Sequence, residues 1–320
     1  MKSLKQEQKS PSLKVNSILN AIRTISSIVF PLITFPYVSR VLQPENIGKI
    51  NFAQSFVSYF ILIAALGLST YAVRRCAAVK DDKEKLENLA SQFFSINLIM
   101  TSVAYFFLAV SLIFFRQLDT YRWLIVILSS SILFTTVGAD WLNSAMEDFK
   151  FVAIRTVVFQ IIALACMFIF VRNVDDYYSY AIISIVASSG SYLTNVFYRK
   201  KFCRIRFTFQ IDWKEHAIPI LFLFAMTLSQ VIMNNTDVTM IGLIKGDYEV
   251  GLYSTAHKVI NIIAQLVQSL AIVVIPRLSI YFAKKDYEQL NVLLRKILNF
   301  NITLGLPCVI GVEMLANEII

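Results

Sequence analysis

Charge is scarce in this sequence. Only 16% of its 320 residues are Asp, Glu, Lys or Arg, against 57% hydrophobic residues. Its mean hydropathy is +0.62, and that balance excludes an ordinary water-soluble globular domain. Histidine is nearly missing. The two present, His216 and His257, stand in no His-x-x-x-His or Glu-x-x-His spacing, so a general base or metal cluster for bond chemistry has little to be built from. A membrane-embedded enzyme would have to rest on Asp140, Glu147 and Asp148 alone. Cysteine is sparse as well. Cys76, Cys166, Cys203 and Cys308 are far apart and form no C-x-x-C pair, so they read as apolar fillers and no metal or other cofactor is expected. Lipidation motifs and a folded extramembrane domain are also missing. The net charge of +9 does not point to nucleic acid, because the cations are not gathered on one domain with interleaved aromatics.

What is abundant is the long apolar run. Crossing a hydrocarbon core of roughly 30 Å takes about 20 apolar residues as a helix, since every backbone N–H and C=O must be bonded internally there. Runs of that length cover approximately 15–40, 50–73, 89–115, 123–143, 151–171, 177–198, 217–244, 251–283, and 297 to the end. They predict eight complete spans and a ninth cut short. The first is too long for a signal-peptide core, contains Arg23 and lacks a small-residue cleavage site, so it is expected to be retained. Pro31, Pro36, Pro219, Pro276 and Pro307 fall in or at the ends of these spans, where proline kinks a helix.

The loops supply an orientation, because short cytoplasmic loops are enriched in Lys and Arg. With the N-terminus cytoplasmic, the inside segments hold Lys2, Lys5, Lys9 and Lys14; Arg74, Arg75, Lys80, Lys83 and Lys85; Lys150; Arg199, Lys200, Lys201, Arg204, Arg206 and Lys214; and Lys284 and Lys285. These are 18 cations, against five outside: Lys49, Arg116, Arg122, Arg172 and Lys245. Most of the inside cations act as topology signals, and the cluster from Arg199 to Arg206 also suits anionic lipid headgroups. Arg40, Arg155 and Arg277 lie near helix ends, from which a long side chain can snorkel to the interface.

An internal repeat sets the domain plan. Pro44 to Gln54 resembles Asp247 to His257, with Gly48 matching Gly251 and Ala53 matching Ala256 at an offset of 203 residues. Six predicted helices separate the two copies, so the units run in the same direction about an axis along the membrane normal. The fold class expected is therefore all-α: a polytopic transmembrane helix bundle built from six-helix repeats, the first lobe complete and the second truncated. The plan is a cytoplasmic tail (1–14), a first lobe (15–201), a basic cytoplasmic linker (202–215) and the start of a second lobe, helices seven to nine (216–320). A second lobe of equal size would run to about residue 400, which predicts a truncated or fragmentary chain.

Ionisable groups inside spans are costly, by at least about 2.5 kcal/mol each, and by default they indicate a polar pathway. Thr227, Gln230, Asn234 and Asp237 recur at steps of three and four in the seventh span. Ser254, Lys258, Asn261, Gln265 and Gln268 do so in the eighth, Asn16, Asn20, Arg23 and Ser27 in the first, and Thr136, Asp140 and Asn143 in the fourth. Such spacing puts each set on one helix face. One such row is as readily structural glue between helices; four rows, two of them with Asp237 and Lys258 at mid-helix depth, favour a water-filled cavity in which those two charges pair.

The stretches Asn16 to Ile18, Val41 to Gly48, Trp141 to Glu147, Asn235 to Asp237 and Val250 to Ala256 resemble the polysaccharide biosynthesis flippases of the Wzx (O-antigen) type, within the multidrug/oligosaccharidyl-lipid/polysaccharide exporter superfamily. The resemblance implies two six-helix lobes around a central cavity in the bacterial inner membrane. It implies an undecaprenyl-diphosphate-linked oligosaccharide as substrate, moved from the cytoplasmic to the periplasmic leaflet by alternating access, with membrane lipid as surroundings. By that likeness Arg23 and Lys258 meet the diphosphate, Asp237 balances them or couples an ion such as H+ or Na+, and Gln230, Asn234, Asn261, Gln265 and Asp140 contact the rest of the substrate. Other polysaccharide assembly proteins are further partners it suggests. A cation-coupled drug exporter of the same superfamily is the nearest alternative, and a membrane glycosyltransferase or acyltransferase a more distant one.

Overall fold

The computed structural model describes residues 13–314, apart from the side chains of 13–24, 28, 266–273, 275–277 and 280. Among the described residues every regular element is a helix, and seven stretches are long and apolar enough to cross a membrane. The protein is a multi-pass, all-α membrane protein. Large apolar side chains stand exposed along the spans, such as Phe106 and Ile113, Ile161 and Phe170, which is the surface that lipid requires.

Helix α1 (Leu13–Ala65) is 53 residues long, about 80 Å at 1.5 Å per residue, and so is two spans in one. The join is Gln43, whose φ of 63° and ψ of 161° interrupt the helix directly before Pro44, a residue that disfavours helical geometry in its predecessor. This is the break that the sequence places between its first two spans. It is tied to the far end of α6 (Phe149–Phe170): the Tyr37 hydroxyl donates to the Val171 carbonyl at 2.7 Å, and the Asn46 amide to that of Val174 at 2.8 Å. The loop they grip is itself pinned, since Asp176 accepts the backbone N–H groups of Arg172 and Asn173 at 3.0 and 2.8 Å.

The second half of α1 ends at Leu66 and Gly67, both with positive φ, before α2 (Leu68–Ala78). Asp82 caps α3 (Lys83–Phe114), accepting the N–H of Lys85. A 3-10 turn (Arg116–Tyr121) leads to α4 (Arg122–Gly138), which stops at Ala139, φ 48°. The fourth predicted span therefore ends five residues early, and a short α5 (Trp141–Ala145) turns back toward α6. Then α7 (Tyr177–Ile185) passes through a π-helical turn (Val186–Gly190) into α8 (Ser191–Tyr198). The last three helices are α9 (Trp213–Ile244), α10 (Asp247–Ala283) and α11 (Tyr287–Met314).

The chain divides into two units, Met1–Val250 and Gly251–Ile320. In the first, α1 packs against α3, α4, α6 and α9, around fully buried Leu42, Phe52, Phe93, Ile132, Leu142 and Met167. The close approaches are at glycines. A Cβ on Gly242 of α9 would lie 2.3 Å from the Phe52 ring, and one on Gly67 would lie 2.8 Å from the Leu223 backbone carbon. The second unit holds the rest of α10 and α11, joined by a turn at Lys285, φ 56°, after which Asp286 accepts the N–H of Gln289 at 3.1 Å.

Candidate functional site

A half-open cavity of about 550 Å³ lies among α1, α6, the π-helical turn and its flanking helices. It is lined by Ser27, Phe30, Pro31, Thr156, Gln160, Ser184, Ala187, Ser188, Ser191 and Tyr192. The hydroxyls of Thr156, Ser184 and Ser188 donate to carbonyls one turn back in their own helices, at 2.7 to 2.8 Å. This satisfies the proton without leaving the helix and keeps oxygen lone pairs available. Tyr192 also lines a second cavity of about 430 Å³ with Ser69, Thr70, Val73, Arg74, Asp140, Trp141 and Ser144, so the two adjoin at its side chain. Gly138 makes room for it, since a Cβ there would lie 2.6 Å from that of Tyr192.

Next to Tyr192 sits a buried ion pair. Arg155 of α6, side chain 4% exposed, forms an ion pair with Asp140, 18% exposed. Its guanidinium also lies over the rings of Phe151 and Tyr192, at 5.4 and 5.6 Å, a favourable arrangement for a desolvated cation. A neighbouring network fixes Asp140. Asn143 donates to Asp140 at 3.3 Å and to the Asn195 side chain at 2.6 Å, and Asn195 donates to the Gly138 carbonyl at 2.7 Å. Arg199 donates to the Val137 carbonyl, also at 2.7 Å. Two carbonyls left open by the end of α4 are thereby bonded, one of them by a cation placed where the helix dipole favours it.

The sequence-predicted residues fall into separate groups. Gln230, Asn234 and Asp237 share the exposed face of α9, and the Asn234 amide donates to the Gln230 carbonyl at 2.8 Å. The opposite face of α9 is the one packed on α1, where the Ser55 hydroxyl donates to the Asn235 carbonyl and bonds Thr239, both at 2.8 Å. Lys258, Asn261 and Gln265 share a face of α10 in the second unit, Lys258 half-buried and Asn261 bonded to His257 at 3.2 Å. Asp140 belongs with Arg155, and Thr136 is buried against Thr101 at 2.7 Å. The side chains of Asn16, Asn20, Arg23, Gln268 and Arg277 lie outside the described residues.

Arg155 departs from its sequence reading. It does not reach for an interface: the short α5 holds Asp140 against it, and a guanidinium withdrawn from water requires such a counter-charge. Apart from Ser27, the lining of the larger cavity went unread, although Ser184, Ser188 and Ser191, and Thr156 with Gln160, stand at helical spacing in the sequence. Hydroxyls and an amide lining a cavity suit the binding of a polar molecule.

Apolar spans around polar chambers are the build of a multi-pass membrane protein with room for a polar molecule inside it. The chain belongs to the polysaccharide biosynthesis protein family, whose model matches residues 13–282. It is 22% identical over 273 residues to a protein of Escherichia coli (strain K12) named "Putative O-antigen transporter", covering 84% of this chain and 65% of that protein. A protein of the same name from Shigella dysenteriae is 24% identical over 281 residues, covering 83% of this chain and 67% of its own length. The chain thus spans about two thirds of the length of the curated relatives it matches. No solved structure matches the chain.

Proposed function

We propose that this protein is a flippase that carries a lipid-linked oligosaccharide from the cytoplasmic to the periplasmic leaflet of the bacterial inner membrane, by alternating access. The observation that carries this reading is the family match over residues 13–282, together with the transporter name borne by both relatives. The polar chambers support passage of a polar molecule. The excess of Lys and Arg in alternate loops supports a cytoplasmic N-terminus.

In this reading Arg23 and Lys258 meet the diphosphate and Asp237 balances their charge or couples H+ or Na+. Gln230, Asn234, Asn261, Gln265 and Asp140 hydrogen-bond the polar parts of the substrate. Lobe boundaries at 15–201 and 216–320 and contacts with other polysaccharide assembly proteins belong to the same proposal. The test is complementation of a flippase-deficient bacterium, scoring surface glycan while checking membrane insertion. Native protein is expected to restore glycan, and Arg23→Ala, Asp237→Ala and Lys258→Ala to insert normally and fail. No restoration in hosts offering several repeat units turns the reading toward drug efflux.

A further inference from the structure

The segment between α8 and α9 is not a loose linker. The backbone N–H groups of Arg204, Arg206 and Thr208 donate in alternation to Glu87, Ser91 and Ser95 of α3, at 3.1, 3.1 and 2.8 Å, and that of Asp212 donates to Gln92 at 3.0 Å. Three acceptors four residues apart on one helix face thus hold an extended strap whose donors recur every second residue. Its odd-numbered side chains share one side but not one environment. Cys203 is buried in the hydrophobic core near Leu68, Phe93 and Trp141, with Ile205 and Ile211 packed against that cluster. Phe207 and Phe209 instead stand 44% and 85% exposed.

The even-numbered Arg204 and Arg206 line a polar pocket of about 530 Å³ with Lys83, Glu87, Asn88 and Ser91. Three cations face one carboxylate there, and one oxygen of that carboxylate already accepts the Arg204 N–H. Among the described residues none of the three cations has a salt bridge, in contrast with Arg75, paired to Glu215, and Lys85, paired to Asp82. A cationic pocket on a strap that also carries exposed phenylalanines fits an anion carried at a membrane interface.

We propose that Lys83, Arg204 and Arg206 form a phosphate-binding site for the headgroup of an anionic phospholipid, with Phe207 and Phe209 seated among its acyl chains. The shared chemistry is a phosphate anion. The site is separate from the transport reading above and stands without it; only its assignment to the cytoplasmic leaflet follows the proposed orientation. The test titrates phosphatidylglycerol into the detergent-solubilised protein, reading bound lipid by native mass spectrometry, with phosphatidylcholine and inorganic phosphate as further arms. Phosphatidylglycerol is expected to bind in preference to phosphatidylcholine. The K83Q/R204Q/R206Q variant should lose about tenfold or more in affinity, while K150Q/K284Q/K285Q, which removes equal charge elsewhere, keeps it. Failure of millimolar inorganic phosphate to compete assigns the site to the lipid headgroup, and competition assigns it to free phosphate. Equal loss in both triple variants, or equal uptake of both lipids by the native protein, overturns the proposal.

Discussion

Arg155 and Asp140 are both largely withdrawn from solvent, so removing Asp140 takes from Arg155 its counter-charge in a poorly hydrated site. Asp140→Ala is expected to destabilise the protein by about 3–5 kcal/mol, and pairing it with Arg155→Met to recover most of that loss; unfolding in detergent measures both. Cys203 makes a second residue-scale case. Burial, reinforced by the nearby Glu87 carboxylate, pushes its thiol up to about 11. A raised thiol pKa stabilises the fold fully below the unfolded value of about 8.5, and the gain is lost as pH rises toward 11. Alkylation of the folded protein should stay slow at pH 7 and reach Cys203 only on unfolding or in strong alkali. The sequence named Asp140 but not its partner, because pairing depends on a turn at Ala139 that no residue type there announces. Ala carries no preference for positive φ.

At the scale of elements, breaks matter more than lengths. The join in α1 was legible because proline constrains the residue before it. The π-helical turn was not, since Val-Ala-Ser-Ser-Gly is ordinary in a membrane helix and the i to i+5 bonding arises from packing. Its glycine lies close to the neighbouring α6, where a Cβ on Gly190 would come within 3.0 Å of the Phe159 ring. Gly67 is the sharpest such position. It has φ 65° and would place a Cβ 2.8 Å from the backbone of Leu223, which cannot swing aside. Gly67→Ala is expected to cost about 1–3 kcal/mol in backbone strain, with a further loss as α2 and α9 separate. A control with the same side chain at exposed Ser69 should stay within about 0.5 kcal/mol of the native protein, and thermal unfolding in detergent compares the two.

For the whole molecule, the all-α, multi-pass architecture and the family were both readable from one sequence. Lipid forces long apolar helices, and the family's residues are spread along the chain. The described chambers were only partly readable. Ser27 closes the first predicted polar row and does line a cavity. A periodic polar face shows that a helix has a wet side without saying which neighbour meets it. The proposed activity is movement of a lipid-linked glycan between leaflets. It is tested most directly by reconstituting the protein into liposomes that hold a fluorescent polyprenyl-diphosphate oligosaccharide, and following loss of outer-leaflet label to a membrane-impermeant quencher. Protein-dependent transfer that is abolished in Lys258→Ala, while an unrelated phospholipid stays in its leaflet, is the predicted result. Transfer no faster than in protein-free liposomes, for any of several glycans, contradicts it.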